Sequence, residues 1–220
     1  MYHFNYVSSK QLSPVKKDLI LIMNSVQDLV RHDFTFQFEF VGSVKRQMVT
    51  QDIGSNVGFD FDINLQVNDD EDIFSAKEIK NKIRAALDQI APQFGYGHAE
   101  DSTRVLTIKL KDRKHSKVLH SCDFAIVNNY MDNSGREHQQ YIRFHKKQKT
   151  YTWEEQPNGY YLLAEKSQWI KEHRYWNEMR KLYLKKKNNN KDPHKHSRSI
   201  YAETVHEICQ RYGFTAEGFQ

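Results

Sequence analysis

Apolar positions set the frame of this chain. Between residues 13 and 31, Val15, Leu19, Ile22, Met23, Val26 and Leu29 recur at helical spacing, which predicts a long helix with one packed face. Phe34, Phe36, Phe38 and Phe40 then alternate with polar residues up to Val41-Gly42-Ser43, the mark of a half-buried strand ending in a tight turn. After a polar stretch of ambiguous character over 44–57, Gly58 to Val67 alternates strictly. Phe59, Phe61, Ile63 and Leu65 fall on one face, Asp60, Asp62 and Asn64 on the other. A second amphipathic helix is predicted over 75–91 from Ile79, Ile83, Ala86, Leu87 and Ile90, closed by Pro92, Gly95 and Gly97.

Strands follow over 104–111 and 120–127, then a further one over about 139–153 beyond the turn Asp132-Asn133-Ser134-Gly135. Past Pro157-Asn158-Gly159 the pattern becomes helical, over about 165–187 and 198–212, with the polar loop 188–196 between. The expected fold class is therefore α+β: a mixed sheet with flanking helices, followed by a helical C-terminal lobe. The expected domains are residues 1–157 and 158–220.

Composition narrows the setting. Cys122 and Cys209 are too far apart for a CxxC pair, and the longest strongly apolar patch, Leu19-Ile20-Leu21-Ile22-Met23, is far short of the ~20 residues of a spanning helix. A reduced, cytoplasmic protein without a membrane segment is the expectation. The formal charge of +5 is regional: between Lys166 and Arg198 there are eleven lysines and arginines against three acidic residues. Trp169, Tyr175, Trp176 and Tyr183 are interleaved with that charge, so nucleotide phosphates or a nucleic-acid backbone are candidate partners for this segment. A solvated helix face over a core stripe accounts for the same pattern.

The acidic strand carries the chemistry. Carboxylates at i and i+2 of a strand share a face, with Cα atoms about 6.6 Å apart, and can converge on one cation or a pair. Asp123 stands on another strand, its side chain directed away from Cys122, Phe124 and Ile126 by the same alternation. Three carboxylates on one sheet face repel one another unless cations compensate, and their hard oxygens suit Mg²⁺ or Mn²⁺ in a two-ion arrangement for phosphoryl transfer. The other candidates are weaker: Cys122 turns into the packed face, and His194 with His196 lacks further ligands. No Walker A or dinucleotide-binding glycine pattern occurs.

Gly42-Ser43 at a strand end, then Asp60-Phe61-Asp62, then a helix, a strand and a strand bearing Asp123 resemble, in that order, the signature of the DNA polymerase β nucleotidyltransferase superfamily. The basic helical back half is similar to the branch of cyclic GMP-AMP synthase, oligoadenylate synthetase and bacterial cyclic-oligonucleotide synthases. The resemblance implies a Mg²⁺-dependent enzyme that transfers a nucleoside monophosphate from ATP or GTP to a hydroxyl, releasing pyrophosphate, with a cyclic or linear oligonucleotide among the products. It implies that Asp60, Asp62 and Asp123 hold two ions and act in catalysis. Gly42 and Ser43 would meet the triphosphate, Lys185 or Lys181 would neutralise its charge, and Ser199 and Tyr201 would contact phosphate and base. The helical lobe would close the nucleotide cleft, with nucleic acid a further partner at the basic helix. The competing expectation is a non-catalytic module that keeps the fold and binds nucleotide or nucleic acid.

Overall fold

The computed structural model describes residues 2–69, 73–157 and 159–216. In chain order the elements are β1 (Phe4–Tyr6), α1 (Ser9–Val30), β2 (Thr35–Val41), α2 (Gly42–Lys45), β3 (Thr50–Asp52), β4 (Phe59–Asn68), α3 (Ala76–Ile90), β5 (Glu100–Asp101), β6 (Val105–Asp112), β7 (Lys117–Met131), β8 (Glu137–His145), β9 (Thr150–Glu155), α4 (Leu163–Glu172), α5 (Trp176–Asn189) and α6 (Ser197–Tyr212). A 3₁₀ turn, Ala91–Phe94, follows α3. The chain divides into two compact units. One holds Tyr6–Gln51 and Ser55–Gln156; the other joins the N-terminal residues up to Asn5, the stretch Asp52–Gly54 and the chain from Pro157 onward.

The first unit is a mixed sheet in the order β2-β4-β7-β6-β5, with β8 pairing the far end of β7 and β9 pairing β8. The pair β4 and β7 is parallel; β2–β4, β6–β7, β7–β8 and β8–β9 are antiparallel. One sheet face is packed. Phe61, Ile63 and Leu65 of β4, Leu106 and Ile108 of β6, and Cys122, Phe124 and Ile126 of β7 are buried in one cluster with Leu19, Ile22, Met23 and Val26 of α1 and Ile79, Ile83 and Leu87 of α3. Each such large aliphatic or aromatic side chain contributes about 1.5–3 kcal/mol on leaving water. Two capping boxes start the covering helices. Ser8 with Gln11 begins α1 a turn earlier than its apolar spacing implies, and Ser75 with Glu78 begins α3.

An unexpected buried ion pair lies within this unit. Lys80 of α3, 1% exposed, reaches Asp101 at 2.9 Å and the Ser102 carbonyl at 3.1 Å, while the Tyr151 hydroxyl donates to Asp101 at 2.7 Å. The helical spacing of the sequence places Lys80 beside Ile79 on the packed side, yet only its partners on β5 and β9 make that burial tolerable.

Two elements differ from the sequence reading. The segment over 139–153 is a hairpin of β8 and β9 rather than one strand, because the backbone turns through Lys149 at φ 55°. The helix over 165–187 is broken into α4 and α5 by Arg174 at φ 64°, a left-handed residue that no continuing helix accommodates. Hydrophobic periodicity continues across such a break, so pattern alone did not expose it.

The second unit packs α4, α5 and α6 around Ile170, Met179, Tyr183, Ile200, Val205 and Ile208. Among the described residues no helix is long and apolar enough to cross a membrane.

Candidate active site

The site lies on the sheet face opposite the packed helices. In the parallel register of β4 and β7, Asp62 stands directly beside Asp123 and Asp60 beside Ser121. Neighbouring strands are about 4.8 Å apart and residues two apart along a strand about 6.6 Å. The register thus gathers three carboxylates onto one small patch. On the far side of β7, Thr107 of β6 stands opposite Asp123.

Hydrogen bonds orient two of the three. Ser121 Oγ donates a short bond to Asp60 Oδ1, and Thr107 Oγ1 donates to Asp123 Oδ1 at 2.5 Å. Asp62 lies between them with the greatest electrostatic load. Burial, then the charges of Asp123 and Asp60, push its carboxyl up to about 6, and the Arg46 guanidinium offsets part of that rise. Burial also raises Asp123, with Asp60 adding to the shift, against the lowering effects of the Thr107 hydrogen bond and Lys109. Two neighbouring carboxyls resist ionisation, chiefly because burial strips them of water and further because other carboxylates lie close, and Arg46 and Lys109 offset only part of this.

The turn into α2 is shaped around Asp62. Val41 pairs with Asp62 across β2 and β4, and Gly42 follows at φ +61°. A Cβ at Gly42 would fall 2.3 Å from Asp62 Oδ2, so glycine is required both by the backbone angle and by the approach of the carboxylate. Ser43 is half-buried in the first turn of α2, and its carbonyl accepts from Met48 N at 2.8 Å. Gly42, Ser43, Asp60, Asp62 and Asp123, named from distant parts of the chain, therefore occupy one locale.

Sequence reasoning missed Ser121, Thr107 and Arg46. Ser121 and Thr107 become visible only once the register places them beside an aspartate. Arg46 had no pattern to flag it in a polar, ambiguous stretch.

The other candidates lie in the helical unit. Lys181 and Lys185 are one turn apart on α5 and exposed. Ser199, in the first turn of α6, shares a 2.8 Å hydrogen bond with the Tyr160 hydroxyl. Tyr201 is 4% exposed; its ring meets Tyr183 edge-on and its hydroxyl donates to Ser167 Oγ at 2.8 Å. In this conformation the Tyr201 ring is a packing element, with no open face for a base. The basic excess is partly answered within the unit, since Lys186 pairs with Glu207 at 2.7 Å and Lys195 with Glu203 at 2.6 Å. Lys171 also lies over Trp176 and Lys187 over Tyr183, so some of the interleaved aromatics serve cation–π packing.

The mixed sheet with helices on one face and three acidic strand positions on the other has the fold of solved bacterial cyclic-dinucleotide synthases, the fold anticipated from the motif order. The Vibrio cholerae DncV cyclic AMP-GMP synthase, in complex with the linear intermediate pppA(3′,5′)pG, is similar at TM-score 0.64 and 12% identity over 96% of this chain and 70% of that one. The STING-associated CdnE c-di-GMP synthase from Capnocytophaga granulosa is similar at TM-score 0.61 and 17% identity, over 94% of this chain and 63% of that one. No protein-family model matches the sequence, and no curated protein sequence matches it. At such identities the likeness is one of fold.

Proposed function

We infer that this chain is a divalent-metal-dependent nucleotidyltransferase that moves a nucleoside monophosphate from a nucleoside triphosphate to a hydroxyl, releasing pyrophosphate and building a linear or cyclic oligonucleotide. The observation that carries the reading is the patch of Asp60, Asp62 and Asp123, with Asp62 and Asp123 both raised above the usual carboxylate range, first by burial and then by the charge of neighbouring carboxylates. A merely solvated acidic face would not concentrate that cost on two adjacent strands.

The donor set suits Mg²⁺ or Mn²⁺: carboxylate oxygens only, in charge excess. Among the described residues no group of three His, Cys, Asp or Glu side chains is gathered closely enough to hold an ion alone, so triphosphate oxygens would complete the shell. When bound, two ions would neutralise the phosphate charge and lower the pKa of the attacking hydroxyl. Asp60 and Asp62 would hold the nucleotide-bound ion pair, Asp60 kept in place by Ser121. Asp123, with one oxygen engaged by Thr107, has its second oxygen for an ion or for the proton of the incoming hydroxyl. Gly42 lets the backbone approach the triphosphate and Ser43 offers it a hydroxyl. Lys181, Lys185 and Ser199 remain candidates for contact with phosphate. The reading assigns Tyr201 to packing.

The test is pyrophosphate release from each of the four triphosphates with Mg²⁺, with products resolved by chromatography. Asp123→Asn is expected to bind Mg²⁺-triphosphate within a few-fold of the parent yet transfer nucleotide at least ~10²-fold more slowly, because it removes a group used chiefly in the transition state. Parent-like transfer by folded Asp123→Asn would overturn the site. Absence of pyrophosphate release from all four triphosphates would leave the binding-module reading.

A further inference from the structure

Beyond the aspartates, the same sheet face continues as a floor of carboxamides. Alternation along β4 puts Asn64 and Gln66 in line with Asp60 and Asp62, about 6.6 and 13 Å from Asp62 along the strand. The antiparallel register sets Glu39 opposite Asn64 and Gln37 opposite Gln66. On the other side Asn129 of β7 pairs with Gln139 of β8. Together Gln37, Glu39, Asn64, Gln66, Asn129 and Gln139 line most of a cavity of about 210 Å³. That is below the ~300 Å³ at which drug-sized ligand sites begin, a size for a single ring system rather than a whole nucleotide.

The amides are not independent. Gln139 Nε2 donates to Asn129 Oδ1 at 2.7 Å, and Asn129 Nδ2 donates to Gln66 Oε1 at 2.8 Å. This one-way relay fixes the orientation of the last member, so Gln66 offers amide N–H donors to the cavity. Asn64 and Gln37, without side-chain partners among the described residues, supply further donor and acceptor pairs. No lysine or arginine lines the cavity, and the lone acid, Glu39, is held by Lys45 at 2.5 Å.

The geometry points to a nucleobase subsite for an adenine-bearing acceptor nucleotide. Such a floor repels nothing neutral and attracts no phosphate, so it reads hydrogen-bond pattern rather than charge. Carboxamides pair bidentately with the adjacent acceptor and donor of adenine, N7 and N6. The N7 and O6 edge of guanine presents two acceptors and calls for arginine or lysine. Here Gln66 would donate to N7 while the carbonyl of Asn64 or Gln37 accepts from the N6 amino group. The inference rests on the nucleotidyltransferase reading for the word acceptor, and names the substrate class that reading leaves open.

Binding of the four nucleosides, without phosphate and in the presence of EDTA, isolates this floor from the metal chemistry; equilibrium dialysis or chemical-shift titration reads it. Adenosine is expected to bind roughly tenfold or more tightly than guanosine, the scale of one bidentate amide–base pair. Gln66→Glu keeps an oxygen to accept from Asn129 but removes the amide donors, and is expected to abolish that preference while leaving the melting temperature unchanged. Asn64→Leu should weaken adenosine binding several-fold. Equal affinity for all four nucleosides, preference for another base, or a preference that survives Gln66→Glu would each overturn the subsite. Adenosine selectivity without pyrophosphate release in the triphosphate assay would leave the subsite standing and overturn transfer. Pyrophosphate release with no nucleoside selectivity would do the reverse.

Discussion

Asp62→Asn should make the metal-free protein more stable, and by an amount that depends on pH. The Asp62 carboxyl is pushed from an ordinary value of 3.8 up to about 6 in the folded chain, first by burial and then by Asp123 and Asp60. A folded-state pKa above the unfolded one means that the folded chain holds the proton more tightly, so raising the pH between about 4 and 6 progressively favours unfolding. Below pH 4 the group is protonated in both states and costs nothing. Above pH 6 the full penalty applies, two units or so at 1.36 kcal/mol each, or roughly 2–3 kcal/mol. Asparagine keeps the shape and removes the charge. For a protein of this length, scanning calorimetry at pH 8 should show a melting temperature higher by roughly 4–12 °C. The two proteins should melt together near pH 4. Added Mg²⁺ with a triphosphate should raise the parent and not the variant, narrowing the gap, since only the ionised carboxylate gains from the cations. An unchanged or lower melting temperature at pH 8, or a gain of equal size at pH 4, would refute the claim that ionising the buried Asp62 carboxyl costs the folded chain stability.

Gly42→Ala should lower both the melting temperature and nucleotide transfer. A left-handed alanine costs about 1–2 kcal/mol, and its methyl would displace the Asp62 carboxylate, so transfer should fall at least roughly tenfold. Normal turnover in the variant would show that the close approach is not required. Lys80→Met strands Asp101 in the core and should cost about 3–5 kcal/mol in urea unfolding, with Lys80→Met/Asp101→Asn recovering much of the loss. A loss below 1 kcal/mol would mean that water reaches the pair. Cys122 is fully buried and its thiol is pushed well above its ordinary range, so maleimide should leave it unmodified in the native protein and label it in urea, as mass spectrometry of the peptide would read.

Local chemistry carried the elements and the identity of the acidic positions. Alternation along Phe59–Asn68 placed Asp60 and Asp62 on one face and the aromatics on the other, because a strand has a two-residue period whatever surrounds it. The same rule turned Asp123 away from Cys122 and Phe124, and helical spacing found the faces of α1 and α3 that pack on the sheet. The order of the motifs was enough to anticipate the fold.

What the sequence could not supply was register and its consequences. That Asp62 meets Asp123, that Ser121 holds Asp60 and Thr107 holds Asp123, and that Gly42 must yield space to a carboxylate all depend on which residues of distant strands stand side by side. The breaks at Lys149 and Arg174 were hidden because a left-handed residue alters direction without altering hydrophobic pattern. Tyr201 had a sequence context that suited an exposed stacking ring, and the packing of α6 against α4 and α5 buried it. The carboxamide floor is the clearest case. Gln37, Asn64, Gln66, Asn129 and Gln139 are unremarkable polar residues in their own strands, and only sheet pairing assembles them into one cavity beside the aspartates, because strand periodicity specifies a face and tertiary register specifies the neighbours on it.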